Sequence, residues 1–289
     1  MRVGMLALLV PFAWTQWALG TDSTCFAYRF RAGDTLLYRI EAQDSIVLQN
    51  RPPLVRHRYE TLRLVCDSVD SAAGRFWLRL TPVEFLARER QDTLEALRPH
   101  SPCLQRTVVL CMDSLGGRHS VQAPAEPLVC PGGAFQLPLM APLEPECKRI
   151  YESWLVQDTV ELVENASPAP VLVRTVLARA FPEQDTLGYR CRVLQFVATG
   201  SAFYSDGARL SSQAIVNSFA RLHIAEEGFP VAGFITHELK LQLWLGGEPL
   251  PGVHYCNVFY RLAERRTPQV TAPSSGPELK RPARRPRRR

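Results

Sequence analysis

The residues of this 289-residue chain best suited to chemistry are eight cysteines and six histidines. The cysteines are Cys25, Cys66, Cys103, Cys111, Cys130, Cys147, Cys191 and Cys256. No pair of them has C-x-x-C spacing and no H-x-x-x-H accompanies them, so the spacing does not predict a zinc site. An even count in an exported chain favours disulfides. Cys66, Cys111 and Cys191 lie inside alternating strand patterns and read equally as small buried hydrophobes. Cys103, Cys130 and Cys147 lie in or beside a Pro-rich stretch without strand pattern, and they are the better candidates to bridge loops. Their partners stay open.

The histidines are His57, His100, His119, His223, His237 and His254, and none pair at metal-ligand spacing. His237 shares the apolar parity of its segment. It reads either as a contact inside a ligand pocket or as a core histidine bonded to backbone, and the second needs no partner that the sequence lacks. No G-x-S-x-G elbow and no Gly-rich phosphate loop occurs; Gly116-Gly117, Gly132-Gly133 and Gly246-Gly247 are turn pairs. Acidic residues concentrate at turns, where solvation accounts for them. Asn165-Ala166-Ser167 matches a glycosylation sequon but is followed by Pro168. These absences predict a protein without cofactor, metal or catalytic residue.

The elements that would position any site are strands. Tyr59–Phe85 alternates around the turn 67–74, Val171–Ala198 around 183–188, and Ala214–Leu245 around 226–228. Period-two alternation about acidic, Gly-containing turns means antiparallel strands with one buried face. Leu36 and Tyr38, then Leu62, Phe76 and Leu78, then Ile235, His237 and Leu241 occupy that face. They form the core of a closed sandwich or line the groove of a half-open barrel, and periodicity does not separate the two. Asp92–Arg98, with an N-capping aspartate, Glu95 and the stop Pro99, predicts one short helix. Prolines cluster from Ala123 to Glu146 and mark a crossover between halves at about 21–122 and 151–264. The expected fold is mainly β and antiparallel, built from two similar halves, with at most short helices.

The ends differ from this body. Arg2, the apolar run Leu6–Trp14 and the small residues Ala18 and Gly20 form an export signal spanning 1–20, too short to cross a bilayer. From 265 to 289 the chain holds nine Lys/Arg against one acid, Glu278, which accounts for the net charge of +6. Without this tail the body is mildly acidic, so a nucleic-acid surface is not supported. Lys280, Arg281, Arg284, Arg285, Arg287, Arg288 and Arg289 make a disordered cationic end suited to an anionic membrane or another acidic envelope polymer, or one that merely solubilises.

Three segments carry a resemblance. They are Phe30-Arg31-Ala32-Gly33-Asp34-Thr35-Leu36-Leu37-Tyr38, then Leu137-Pro138 followed by Glu152-Ser153-Trp154, and Ala225-Glu226-Glu227-Gly228-Phe229-Pro230-Val231. This layout resembles an uncharacterised family of exported bacterial β-sheet proteins, similar to the half-open barrels of lipoprotein carriers. Tyr151 stands where that family carries glycine. The resemblance implies a large curved antiparallel sheet or half-open β-barrel in a periplasmic or surface-exposed protein, with a concave apolar face for a lipid-like or other apolar ligand. The alternative is a structural or assembly component of the envelope acting through protein contacts.

Overall fold

The computed structural model describes residues 23–122, 128–207 and 210–268. The expected signal segment, the tail residues from Lys280 to Arg289 and part of the crossover lie outside them. The described residues are all β, without a helix. In chain order the strands are β1 (Ser23–Thr24), β2 (Thr35–Leu48), β3 (Leu54–Asp70), β4 (Arg75–Gln91), β5 (Leu94–Arg98), β6 (Val108–Asp113), β7 (Arg118–Gln122), β8 (Leu128–Val129), β9 (Lys148–Arg149), β10 (Ser153–Glu161), β11 (Ala166–Ser167), β12 (Val171–Thr186), β13 (Tyr189–Ser205), β14 (Leu210–Ala225), β15 (Pro230–Leu245) and β16 (Glu248–Arg266).

Twelve of them build one antiparallel sheet in the order β10-β12-β13-β14-β15-β16-β2-β3-β4-β6-β7, with β5 folded back on β4. The sheet curls into a nearly closed barrel with one unsealed seam. Each expected hairpin is present, turning at 71–74, 187–188 and 226–229. The halves meet where β16 pairs with β2 over a register running from Gly252↔Leu48 to Arg266↔Thr35. The two path ends, β10 and β7, leave the seam. Arg118 of β7 donates across it to the Glu161 carbonyl at 2.8 Å and forks onto Glu164 at 2.6 and 2.9 Å.

Curvature comes from irregularities in the ladder. Register shifts fall between Thr61 and Leu62 opposite Glu84 and Pro82, and between Phe181 and Gln184 around Pro182. A bulge adds local twist and tolerates a proline that cannot donate to the ladder.

Two expectations change. Asp92–Arg98 is not a helix: Asp92 takes φ 55 in a tight turn, and Leu94–Arg98 returns as β5 against Ala87–Gln91. A seven-residue helix would gain too few internal bonds to offset its nucleation, whereas β5 completes hydrogen bonds on the β4 edge. The second change lies beyond Gly246-Gly247. These glycines turn the chain into β16, the longest strand, which extends to Arg266, so Arg265 and Arg266 belong to the sheet and not to the tail. Arg265 lies over the Phe229 ring at 4.1 Å and 3.9 Å from Asp34.

The Pro-rich crossover does more than connect the halves. Phe135, Leu137, Met140, Ala141 and Leu143 are buried in the same core cluster as the inward residues of the sheet. Cys130 bonds Cys103 at one end of this segment, and Cys147 bonds Cys25 at the other. All three candidate loop cysteines are therefore bridged, while Cys66, Cys111, Cys191 and Cys256 are free and buried. Two small ladders, β8 with β11 and β9 with β1, flank the same two ends. Tyr151, which follows, adopts φ 68, a conformation glycine accepts without cost, and this explains why a glycine suits the position.

Tyr260 shows how closely this interior is fitted. Its ring lies across Gly233, its partner in the β15–β16 register, and its hydroxyl reaches the Leu139 carbonyl at 3.3 Å. A Cβ on Gly233 would meet the ring at 2.4 Å. Gly233→Ala is expected to cost about 1–3 kcal/mol, as overpacking does. Urea denaturation checks this, and an unchanged midpoint would show that the ring can move aside.

Candidate functional site

The face expected to bind a ligand is the barrel interior. Leu36, Tyr38, Phe76, Leu78, Ile235 and His237 are all buried there, and Leu62 and Leu241 pack half-buried against them. The structure thus brings the predicted set to one face, but that face meets the protein's own crossover instead of a groove. What remains is a cavity of about 100 Å³ between the inner faces of β2–β4 and the crossover. Ile40, Leu62, Leu80, Phe85, Leu137 and Met140 line its apolar part, and Arg58, Gln136 and Asn165 its polar part. Of the predicted residues only Leu62 borders it. Pockets for drug-sized ligands run to roughly 300–1,000 Å³.

Polar side chains hold the inserted segment by its backbone. Tyr28 Oη donates to the Ala141 carbonyl at 3.2 Å and accepts from the Ala141 amide at 3.0 Å. The Leu137 amide donates to His237 Nε2 at 3.4 Å, and His237 Nδ1 faces Ser218 Oγ at 3.2 Å. Arg56 donates to the Pro131 carbonyl, and Asn165 Nδ2 to the Gln136 carbonyl. Asn165, the sequon residue, is buried and spent on this bond. Burial, with His254 and Arg174 nearby, pushes the His237 imidazole down to about 3, so it stays neutral and can accept the amide proton. His237 is a core histidine that fixes the crossover.

Beside this lies a charged cluster. Asp44, Arg58, His254 and Cys256 are each at most 3% exposed, so any charge here must be matched locally. Arg58 Nε donates to Asp44 Oδ2 at 2.6 Å, Nη1 pairs with Glu60, and Nη2 reaches Gln136 Oε1 at 2.9 Å. His254 Nε2 meets Asp44 Oδ1 at 3.0 Å, and Arg58 Nη2 lies 3.7 Å from Cys256 Sγ. Burial alone would raise the Asp44 carboxyl. The His254 hydrogen bond and the Arg58 guanidinium outweigh it and hold Asp44 well below the usual carboxylate range. Burial would likewise lower Arg58, but Glu60 and Asp44 keep it charged.

The cluster places aspartate, histidine and cysteine together, the residue types of a nucleophilic triad. Burial and the Asp44 charge push the Cys256 thiol far up, so it offers no thiolate at neutral pH. With no thiolate and no exposed sulfur, the arrangement reads as a structural network.

Sequence reasoning passed over this cluster, although a signal was present. Asp44 shares parity with Leu36, Tyr38 and Ile40; Arg58 and Glu60 share it with Leu62 and Leu64; His254 and Cys256 share it with Val258 and Tyr260. Charges on the core parity of a strand are unusual enough to mark an internal network.

The outer wall offers a second feature. The register aligns Leu155, Leu177, Val197 and Phe219 in one row across β10, β12, β13 and β14, all exposed. Val171 and Phe203 pair in a parallel row, and Phe219, Phe234 and Phe259 continue the first region as a run of neighbouring rings. Comparison with known proteins gave no matching family model and no matching curated protein.

His237 generates a pH prediction. Its ordinary value is 6.5 and its folded value about 3, so between these the unfolded chain binds a proton that the folded chain does not. Its contribution is complete above pH 6.5 and is lost as pH falls toward 3, amounting to at most roughly 5 kcal/mol. His237→Gln is expected to flatten the fall of the unfolding midpoint below pH 6.5. An identical pH profile in the variant would show that His237 is not the group responsible.

Proposed function

We propose that this protein is an exported, non-enzymatic component of the bacterial cell envelope that works by accepting an extended segment of a partner protein along the free edge of β10. The observation that carries this reading is a filled interior beside an unpaired, apolar outer edge. The crossover occupies the concave face where a carrier would hold its ligand, and the disulfides at its two ends are compatible with an oxidising location.

Among the described residues β10 pairs only with β12, and it bounds the seam. Glu152 accepts from Ala180 on the β12 side, whereas the Glu161 carbonyl meets Arg118 on the seam side. Alternation then turns the backbone groups of Leu155, Gln157 and Thr159 to the seam. A strand laid there would gain main-chain hydrogen bonds and extend the row Leu155–Leu177–Val197–Phe219, the mode by which sheets recruit peptides. That row carries no charge, which suits an apolar, weakly charged partner strand.

A second reading, binding of a lipid-like or other apolar ligand, draws support from the cavity at Leu62, and it requires the crossover to move. The tail from Lys280 to Arg289 suits attachment to anionic lipid in either case, each basic residue near the surface adding about 1 kcal/mol.

Gln157→Pro deletes one seam-facing N–H and leaves the β12 side intact. In envelope extracts the wild-type chain is expected to migrate in a complex larger than a monomer, and this variant as a monomer with an unchanged melting temperature. A monomeric wild type that carries lipid in native mass spectrometry would favour the second reading. For the tail, a chain ending at Pro268 should keep its fold and lose salt-sensitive binding to vesicles containing anionic lipid. Retained binding would assign the attachment to the barrel.

A further inference from the structure

We infer that the outer wall where β14, β15, β16 and β2 run side by side carries a binding site for a phosphate ester with an aromatic or apolar organic part. Arg39, Arg221 and Arg261 hold the phosphate, and the stacked rings of Phe234 and Phe259 take the organic part. Three observations carry the inference: a depression of ligand size, the surplus of positive charge around it and the ring pair at its side.

The depression follows from the ladder. The register aligns His223, Ala232, Arg261 and Arg39 in one row across the four strands. Arg221, Phe234, Phe259 and Glu41 form the neighbouring row. Ala232 is the smallest side chain of the eight, and the longer ones around it leave a hollow of about 350 Å³. Sites for small molecules run from roughly 300 to 1,000 Å³. All three arginines line this hollow, although they come from three different strands.

The charge around it is unbalanced. Arg39 and Arg261 are direct cross-strand partners, and like charges so placed cost stability. Glu41 is the one carboxylate that lines the hollow. It lies 3.9 Å from Arg261, beyond hydrogen-bond distance, with both side chains more than half exposed. Arg39 has no side-chain hydrogen bond or ion pair among the described residues. Arg221 Nη2 donates to Gln184 Oε1 at 3.1 Å, and its guanidinium lies 5.9 Å from the Phe181 ring centre. These contacts place the group without neutralising it. Arginine keeps its charge at any working pH, so three cations face one anion. The excess of two matches a phosphate monoester, which carries about −1.5 to −2 at neutral pH.

The rings set the second half of the ligand. Phe234 and Phe259 stack with centroids 4.4 Å apart and planes 29° from parallel. Phe259 is 54% exposed and lines the hollow beside the arginines. An aromatic or apolar group attached to the phosphate would cover this ring, while guanidinium forks take the phosphate oxygens. The phosphate can belong to a soluble ester or to a lipid headgroup; both present the same group to the arginines.

The full chain is titrated calorimetrically with phenyl phosphate, with phenol and inorganic phosphate as comparisons. We expect saturable binding of one phenyl phosphate per chain and none of phenol. Arg39→Gln should weaken binding about tenfold, the loss of one charge-assisted hydrogen bond, while its melting temperature stays level or rises as the like-charge pair disappears. Arg261→Gln makes the same test should Arg39→Gln fold poorly. Phe259→Ser should weaken phenyl phosphate and leave inorganic phosphate unchanged, and Arg287→Gln in the tail should change neither. With binding of phenyl phosphate in hand, weaker attachment of Arg39→Gln to phosphatidylglycerol vesicles would name a lipid headgroup as the source, and unchanged attachment a soluble ester. Wild-type protein without saturable binding, wild-type affinity in both arginine variants, or a loss caused by Arg287→Gln alone would overturn the site and leave the three arginines as a solvated surface.

Discussion

The rest of the structure depends on one constraint: a polar backbone segment sits inside a sheet whose inner face is apolar. Buried amide and carbonyl groups must find partners, and residues 130–147 form no part of the main ladder. Tyr28, His237, Tyr260, Arg56 and Asn165 supply those partners at separate points of the segment. The two disulfides close its ends. Each cross-link lowers the entropy of the unfolded chain, typically by about 2–4 kcal/mol, and both act on the element with the least secondary structure of its own. A barrel without this insert would expose an interior lined by Leu36, Leu78 and Ile235.

Closure of the sheet places a second demand on the chain. β2 and β16 are distant in sequence and meet only in the folded state, where their pairing joins the two halves. The buried charges sit on this pair and on the adjacent β3. Removing one partner of such a network leaves another charge buried and unmatched, which commonly costs 3–5 kcal/mol. The network therefore ties register to charge: a one-residue slip of β16 would turn His254 and Cys256 outward and set Tyr255 or Asn257 opposite Asp44 in place of Cys256.

The seam is where, among the described residues, sheet edges stay unpaired. Arg118 bridges one end of it by side chain alone. Edges of this kind invite pairing with another chain, and the apolar outer row beside β10 makes that edge the more receptive wall.

Much of the architecture was legible from local pattern. Hairpins around 67–74, 183–188 and 226–228 follow from alternation and turn chemistry, which act between near neighbours. The inward placement of Leu36, Tyr38, Leu78, Ile235 and His237 follows from parity. The loop role of Cys103, Cys130 and Cys147 follows from the absence of strand pattern around them. β16 escaped because charged and polar residues share its parity rows, and Asp92–Arg98 misled because capping residues also suit a tight turn. The sequence by itself determined that the chain is antiparallel β with one apolar face, since side-chain alternation is a property of each strand alone. Only the tertiary structure decided what covers that face, how Cys25 finds Cys147, and that Asp44 meets His254 and Cys256. Those are contacts between segments far apart in the chain, and no local periodicity encodes which of them closure of the sheet brings together.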